Sequence, residues 1–530
     1  MESLIYFGIF ATMFAFLIFY VTKQKEKKEI NEEKIMQKTN LIIIGIFIIN
    51  IILITFYYSP YTFIFWIIAI SFIFVSIPLK FLIADVFKLK YPLKKFIQKN
   101  LKLEIIIIGI FAIFSIFKFI TSPIFNAKNY ASLIKPEQVK YKDYFVNNFN
   151  KLRKVTEKMA LVKANKIFGK NIDGVDLTTQ YELGKGSIIK YHNHEYWLFP
   201  LYYAGFFQWL SNDNVKGYIL VDAINPTAQP QFIKYEYKYS LGAFFTSRNP
   251  YYRLYAYSGF RKIEIHPELD EKGNLYWVGQ VLKYKYYGNV FYVDKILILN
   301  AKTGKIKEYN LNNVPKWLDK VYPQDIIQDY IEYYGKYKDG FMNALFVKKN
   351  VAVPTLYKNK EIYLIENTKN PNLNWYTGMT SVNSKDNALL YSIAVDAKTL
   401  QAYKIDNLNG ITDEQGAISA VESKLGANSV RWKAVLPMPI NYNNKFYYHT
   451  SVVDKNTNLY IKSAIVDGSN ISNVEFLNFA KKININKLIK QNKIISKEDK
   501  IKIIIKRIDK IQKELTNLKI ELKNLSKEKQ

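Results

Sequence analysis

The side chains best suited to metal chemistry lie in the run His192-Asn193-His194-Glu195. In a strand, two histidines at positions i and i+2 project from one face, and imidazole and carboxylate groups are common zinc ligands. No third strong ligand is evident beside them, and Asn193 favours a turn. His192 and His194 are therefore weak metal candidates, and the pattern favours a solvated hairpin without a metal.

A second set of candidate residues combines arginine with tyrosine. It comprises Arg248, Tyr252, Arg253 and Arg261. Stacking on aromatic rings together with arginine would suit a sugar or a single-stranded nucleic acid. The alternative, which we favour, is that amphipathic tyrosines cover the surface of a sheet.

The sequence does not contain the residues or motifs that several kinds of chemistry require. The chain has no cysteine, which excludes disulfides, zinc–cysteine sites, iron–sulfur clusters and thiol catalysis. Neither a Gly-x-Ser-x-Gly nor a His-Glu-x-x-His motif occurs, and Gly184-Lys185-Gly186-Ser187 lacks the spacing of a phosphate-binding loop. We predict no catalytic residue and no cofactor, and hence a protein that is not an enzyme.

The charge balance is strongly basic. There are 75 Lys and Arg against 45 Asp and Glu, a formal net charge of +30 over 530 residues. Such a surface attracts nucleic acid, anionic envelope polymers or lipid headgroups. The alternative is a lysine-rich composition spread over a solvated surface, and it is favoured because no arginine-rich block stands out. Nucleic acid is thus a less favoured partner than a lipid bilayer, an anionic envelope polymer or a partner membrane protein.

Four apolar segments mark the N-terminal quarter, domain 1–122. They cover about residues 3–22, 41–58, 62–79 and 103–120, and each is long enough to cross a bilayer as a helix. The first and third connections are rich in lysine, whereas Ser59-Pro60-Tyr61 carries no charge. By the positive-inside rule this predicts a multi-pass cell-membrane protein whose large C-terminal domain is extracytoplasmic. If the fourth segment lies flat, that domain is cytoplasmic instead.

An internal repeat follows between about residues 140 and 479. Four apolar strands each end in Asp or Asn followed by a small residue, at Asp222, Asn300, Asp396 and Asp467. These side chains bond the backbone ahead of them, as in hairpin turns. Aromatic strands lie upstream, at 195–198, 275–278, 361–364 and 445–448, and helix-like stretches precede them. We expect a membrane-anchored α+β fold with four helix-plus-antiparallel-β-meander repeats, over 123–239, 240–321, 322–408 and 409–490.

The repeated pattern resembles a known class of domain. A helix followed by a meander that ends in Asp-Ala-x-Thr-Gly is similar to PepSY-type and cystatin-like α+β repeats, and Trp375-Tyr376-Thr377-Gly378 resembles an uncharacterised family of multi-pass bacterial membrane proteins. The likeness covers residues 140–479, although only the turn after Asn300 keeps Thr-Gly. The resemblance implies an inhibitory or regulatory module and brings no catalytic residue.

The C-terminal stretch 496–530 has a different pattern. Its apolar residues are spaced alternately by three and four, as in the seam of a coiled coil, which predicts a homo-oligomer of three or more chains. The alternative is one amphipathic helix packed on its own domain. The predicted seam comprises Ile501, Ile504, Ile508, Ile511, Leu515, Leu518, Leu522 and Leu525.

Together these patterns predict a non-enzymatic, membrane-anchored extracytoplasmic scaffold or binding and regulatory module that oligomerises through its C-terminal helix. Two alternatives of another class stay open. One is a component of a transport or DNA-transfer assembly that guides an anionic polymer. The other is an extracytoplasmic envelope hydrolase whose carboxylates the sequence does not reveal.

Overall fold

The computed structural model describes residues 116–477, apart from 170, 173–174, 245–246, 287–289, 356–361, 383–387 and 407, together with residue 512. The chain divides into two compact parts, Met1–Phe476 and Leu477–Gln530. The described residues from 116 to 476 belong to the first part, and the last described strand ends at Leu477.

Four mainly antiparallel sheets make up most of this part. The first contains β4 (Tyr181–Leu183), β5 (Ser187–Tyr191), β6 (His194–Tyr203), β7 (Val215–Asp222) and β8 (Gln231–Tyr237). The second contains β9 (Ile263–Leu269), β10 (Leu275–Lys285), β11 (Val290–Asn300) and β12 (Ile306–Tyr309). The third contains β1 (Glu137–Lys140), β13 (Ala352–Pro354), β14 (Tyr363–Ile365), β15 (Asn374–Ser381), β16 (Tyr391–Asp396) and β17 (Ala402–Asp406). The fourth contains β18 (Trp432–Tyr442), β19 (Lys445–Asp454), β20 (Tyr460–Asp467) and β21 (Asn470–Leu477), while β2 (Asn171–Ile172) and β3 (Val175–Asp176) form a short pair.

A helix precedes each of the four sheets along the chain, and we call each such helix with its sheet a unit. The described α-helices are α1 (Pro123–Ala131), α2 (Glu157–Phe168), α3 (Leu177–Gln180), α4 (Phe206–Ser211), α5 (Pro250–Tyr257), α6 (Gln324–Tyr337) and α7 (Glu414–Leu425). Local capping sets where they begin: the Thr156 side chain accepts from the backbone N–H of Met159, and Asp413 accepts from that of Gly416. The cap of α7 is thus Asp413.

The four Asp or Asn residues of the repeat each end a strand and bond the turn that follows. The Asp222 carboxylate accepts from the N–H groups of Ile224 and Asn225 at 2.8 and 2.7 Å. Asn300 and Asp396 likewise accept from the second and third residues ahead, and Asp467 accepts from the second. This local bonding reverses the chain direction at low cost in unsatisfied backbone groups.

The residue after each turn Asp or Asn anchors the segment that leads into the helix of its unit. The Ala223 carbonyl accepts from the N–H groups of Lys154 and Val155 at 2.9 and 3.0 Å, while the Ala223 N–H donates to the backbone carbonyl of Glu195. The same arrangement recurs in the next two units. There the carbonyl of Ala301 accepts from Lys238 and Tyr239, and that of Ala397 accepts from Val321 and Tyr322. In the fourth unit Gly468 accepts from Thr412. We call this arrangement the clamp.

A tryptophan completes three of the clamps. Trp197 Nε1 donates to the Val155 carbonyl at 2.8 Å, Trp277 Nε1 to that of Tyr239 at 2.7 Å, and Trp375 Nε1 to that of Tyr322 at 3.0 Å. Each indole lies opposite the residue before the turn Asp or Asn, and Tyr448 has this register in the fourth sheet. In the third sheet the sequence pattern therefore chose the wrong strand as the equivalent of the other aromatic strands. Residues 363–364 lie on β14, whereas the clamp tryptophan, Trp375, lies on the neighbouring β15.

The sheets share their cores. One cluster joins the first and second sheets with α2 and α5 and includes Val435 and Val453 of the fourth sheet. Another joins the second and third sheets with α1 and α6. In addition, β1 pairs parallel with β17, so the start of the described chain closes the edge of the third sheet.

The predicted fold class, a bundle of about four transmembrane helices followed by α+β repeats and a coiled coil, is wrong for this structure. The described part is largely β-sheet and forms several sheets. None of its helices is long and apolar enough to cross a membrane. The longest, α6, has 14 residues and so extends about 21 Å, short of the ~30 Å hydrocarbon core.

This finding also contradicts the expected multi-pass location in the cell membrane. The physical reason is that most of the large apolar residues of 116–477 lie on strands and short helices and are buried in the cores that the sheets share, rather than forming long apolar helices. Three of the predicted spans and most of the fourth lie outside the described residues. The predicted coiled coil 496–530, with its eight Ile and Leu residues, also lies outside the described residues. Of that stretch only residue 512, which is not one of the eight, is described.

The clamp gives a first prediction. Trp277→Phe keeps an apolar ring in a fully buried position but leaves the Tyr239 carbonyl without its indole donor. We expect the free energy of unfolding to fall by about 1–3 kcal/mol. Chemical denaturation of the full chain measures it. Trp317→Phe is the matched control because Trp317 is partly exposed and stacks on Tyr276; an equal loss in both variants would contradict the role of the bond.

Candidate binding surface

An apolar surface surrounds the short helix α4, which connects β6 to β7. Trp209 points inward and is 7% exposed, whereas Phe207 and Leu210 are 77% and 60% exposed. Phe206 lies between them and contacts the rings of Phe207 and Trp209, with centroids 5.5 and 5.7 Å apart. The helix therefore holds two large apolar side chains in solvent on a fixed aromatic base.

Phe244 extends this surface from the segment that precedes α5. Its ring meets that of Phe206 edge to face, with centroids 5.5 Å apart, and lies 6.1 Å from Trp209. Edge-to-face packing is the preferred geometry for such rings. Since Phe206 is 38% exposed and Phe244 is 41% exposed, both contribute to the accessible surface. We define Phe206, Phe207, Leu210 and Phe244 as the α4 surface.

Arg248 contacts α4 through the ring of Trp209. Its guanidinium lies 5.1 Å from the centre of the Trp209 ring and donates to the carbonyls of Asn212 and Asp213 at 3.0 and 3.4 Å. Arginine at the end of a helix stabilises the exposed carbonyl groups there. The Asp213 carboxylate lies 3.7 Å away. Arg248 is therefore positioned by the fold and fixes the end of α4.

A shallow pocket of about 340 Å³ opens beside the helix. It is lined by Gln180, Phe207, Gln208, Leu210 and Ser211. The Asn212 side chain donates to the Gln180 side chain at 3.0 Å, which ties the end of α3 in the pocket wall to the residue that follows α4. Apolar walls with a few neutral polar groups suit the uptake of one apolar side chain.

The other predicted ligand residues lie along α5 and just beyond it. The Arg253 guanidinium is 4.9 Å from the centre of the Tyr239 ring and donates to the Gly304 carbonyl at 3.4 Å, beside the second clamp. Tyr252 packs on Tyr251 with centroids 5.5 Å apart. Arg261 bonds the Ser258 side chain through its backbone. Arg248 and Arg253 thus stack on different rings: Arg248 on Trp209 of the first unit, and Arg253 on Tyr239 of the second clamp.

The two candidate metal ligands are placed by the hairpin between β5 and β6. His192 and Asn193 have φ of 51° and 59°, the left-handed pair expected in a two-residue turn. His194 Nε2 lies 3.0 Å from the Asp222 carboxylate. Among the described residues, no cluster of three or more His, Asp and Glu side chains could hold a metal ion.

Sequence reasoning missed a buried polar cluster between the first and second sheets. The Lys320 ammonium lies 3.0 Å from Glu268 and donates to the Ser187 hydroxyl and the Ile188 carbonyl, while His266 Nε2 lies 3.2 Å from Glu268. Asp319 accepts from the backbone N–H of Lys190. These residues come from three distant stretches of the chain, so no local pattern could indicate the cluster.

Burial shifts the pKa of two residues in this cluster, Asp319 and His266. It raises the pKa of Asp319 to about 7, and the nearby Glu268 charge adds to the rise, whereas the Lys190 N–H and the Lys320 charge oppose it. Burial also lowers the pKa of His266, against the effect of Glu268. A second buried pair, Arg153 and Glu195, has its charged atoms 3.7 Å apart, and burial raises the pKa of Glu195 to about 6.

Comparisons with known proteins add little to this geometry. No family model and no curated protein matches the chain. Solved structures similar to part of it include an ACO/RPE65 chimera, at 7% identity and a TM-score of 0.14, and cobalt-substituted Synechocystis apocarotenoid oxygenase (ACO), at 8% and 0.14. Each match covers 56% of this chain and 50% of the other, so the chain spans about half the length of these structures. At such TM-scores the likeness supports no inference, and the resemblance to PepSY-type repeats stays a prediction.

The raised pKa of Asp319 gives a prediction of pH dependence. Between about pH 4 and 7 the folded chain keeps this proton while the unfolded chain loses it, so stability falls as pH rises through that window. Asp319→Asn should flatten the slope by up to about 1.4 kcal/mol per pH unit. Chemical denaturation at a series of pH values measures this. Glu195 contributes with the same sign, so the comparison is with the unsubstituted chain; an unchanged slope would contradict the assignment.

Arg248 gives a prediction about local order. Arg248→Met removes the charge above Trp209 and the donors to two helix-end carbonyls, so α4 should open about tenfold more often. Hydrogen–deuterium exchange of residues 206–212 reports this directly. Arg253→Met is the control and should accelerate exchange near residues 239 and 304 instead. Equal protection of 206–212 in all three proteins would show that Arg248 does not hold the helix.

Proposed function

We propose that this chain is a non-enzymatic binding module that recognises a partner protein through the α4 surface. The observation that carries the proposal is the pair Phe207 and Leu210, held in solvent on a helix whose inner side is fixed by Trp209 and Arg248. Large apolar side chains that a fold presents together are typical of interaction sites.

Energetics support this use of the surface. Burying a Phe or Leu side chain yields about 1.5–3 kcal/mol relative to exposure, so two such residues beside a pocket offer a substantial gain to a partner. Because Phe206 and Trp209 of α4 already pack on each other and on Phe244, little conformational entropy is lost when a partner binds. Central aromatic anchors of this kind dominate many protein interfaces.

The placement of the titratable groups supports binding in preference to catalysis. Glu268 and Lys320 are 1% and 6% exposed, they form an ion pair at 3.0 Å, and Lys320 donates to the backbone of the first sheet. Their environment is that of an internal cross-link between sheets. The accessible α4 surface, in contrast, is formed by four apolar residues, whose side chains carry no acid, base or nucleophile.

The partner is defined by its chemistry. An apolar side chain fits the pocket beside Phe207 and Leu210, and acidic neighbours are favoured by the net charge of +30, which steers anionic partners towards the protein. The recognised element is therefore a segment in which a Phe or Leu is flanked by Asp or Glu.

Peptide titration tests the proposal. Fluorescent peptides with one Phe or Leu flanked by Asp and Glu should bind the full chain, and the same peptides with Lys flanks should bind more weakly, as measured by anisotropy. Phe207→Ser and Leu210→Ser should each reduce affinity at least tenfold, since central anchor residues contribute about 2 kcal/mol or more. Val430→Ser, at another highly exposed apolar residue, is the control and should bind normally. Binding that is absent, or insensitive to both α4 substitutions, would refute the proposal.

A further inference from the structure

A second exposed apolar feature lies at the end of α6, far along the chain from α4. The short π-helix Asn343–Val347 follows α6, and four side chains around it are more than half exposed. These are Met342 at 63%, Leu345 at 53%, Phe346 at 67% and Val347 at 71%. We call residues 342–347 the apolar tip.

Specific hydrogen bonds hold the apolar tip in shape. The Asn343 side chain donates to the Lys349 carbonyl at 2.8 Å and accepts from the Lys349 N–H at 3.2 Å. The Lys348 N–H donates to the Asn343 carbonyl at 2.6 Å, with Lys348 in the left-handed region at φ 57°. The Asn350 side chain bonds Asp339 at 3.0 Å across the base of the loop. The loop is thus closed on itself, and its apolar side chains are held outward.

Positive charge surrounds the apolar tip. Lys338, Lys348 and Lys349 are exposed at its base, against one carboxylate, Asp339, that Asn350 bonds. Exposed apolar side chains next to exposed lysines match the interface of an anionic bilayer, where the apolar groups enter the acyl boundary and the ammonium groups meet the phosphates. A recessed protein-binding groove would place its apolar residues below the surrounding surface instead.

We propose that the apolar tip contacts the surface of a lipid bilayer rich in anionic headgroups. The contact is superficial, since the tip is a single turn that enters the headgroup and upper acyl region without crossing it. Phe346 and Val347 supply the apolar contact, and Lys348 and Lys349 select anionic lipid. The proposal is independent of the partner protein assigned to the α4 surface.

The absence of cysteine allows a local test on the full chain. Leu345→Cys and, separately, Met342→Cys are labelled with an environment-sensitive dye, and emission is followed as phosphatidylglycerol vesicles are added. Both labels should shift to the blue and gain intensity, whereas phosphatidylcholine vesicles should produce little change. Val430→Cys, a highly exposed position outside the tip, is the matched control and should report water throughout.

Charge variants complete the test. In the labelled Leu345→Cys chain, Lys348→Gln with Lys349→Gln should raise the concentration of anionic lipid at half-maximal shift about thirtyfold, the loss expected for two interfacial lysines. Emission of either tip label that stays unchanged by phosphatidylglycerol overturns the proposal. So does a shift that occurs without vesicles as protein concentration rises, because this would indicate contact between copies of the chain. Equal lipid dependence with and without the two lysines overturns the anionic selection.

Discussion

The bonds from one small residue back to the segment that leads into the helix of its own unit determine how this β-rich chain is organised. In each of three units, an alanine carbonyl accepts from two successive N–H groups, and a tryptophan indole bonds the second of those residues. Both alanine positions at the first two clamps are fully buried, so any unmade bond there would cost the full desolvation of a backbone group. The clamp therefore sets the position of the helix relative to its own sheet.

The clamps also explain why charged residues are buried between sheets. Lys154 is a clamp donor, and Lys320 directly precedes another, so the clamped backbone directs both side chains inward. Lys320 bonds the backbone of β5 in the first sheet, and the Ser451 hydroxyl of the fourth sheet bonds the Lys154 carbonyl. Arg153 donates to the Leu364 carbonyl of the third sheet. Buried charges thus connect units whose helices and sheets are fixed by the clamps, and removing one partner would leave an uncompensated charge.

Hydrogen bonds between residues close together in the chain could be predicted from the sequence, whereas contacts between distant residues could not. The turns at Asp222 and Asn300 could be placed because an Asp or Asn side chain bonds a backbone only two or three residues ahead. Trp375 was not assigned to its strand, because its partner Tyr322 is 53 residues away. The α4 surface was likewise missed: among the predicted ligand residues only Arg248 contacts α4, through Trp209, and no local pattern marked Phe206 and Phe207 as exposed.

The distribution of phenylalanine and tyrosine separates structural rings from contact rings. Buried tyrosines use their hydroxyls inside the fold: Tyr237 donates to the Leu201 carbonyl at 2.6 Å and Tyr218 to that of Gly273 at 2.8 Å. A tyrosine on the outside could also bond water, so its exposure would need no explanation. Phe207 and Phe346 have no such group, and both are at least two-thirds exposed. Because the chain has more tyrosines than phenylalanines, 42 against 35, placing phenylalanine at these two wet positions forgoes a readily used polar alternative. That choice is physically sensible if a partner buries each ring, as proposed for a protein at the α4 surface and a bilayer at the apolar tip.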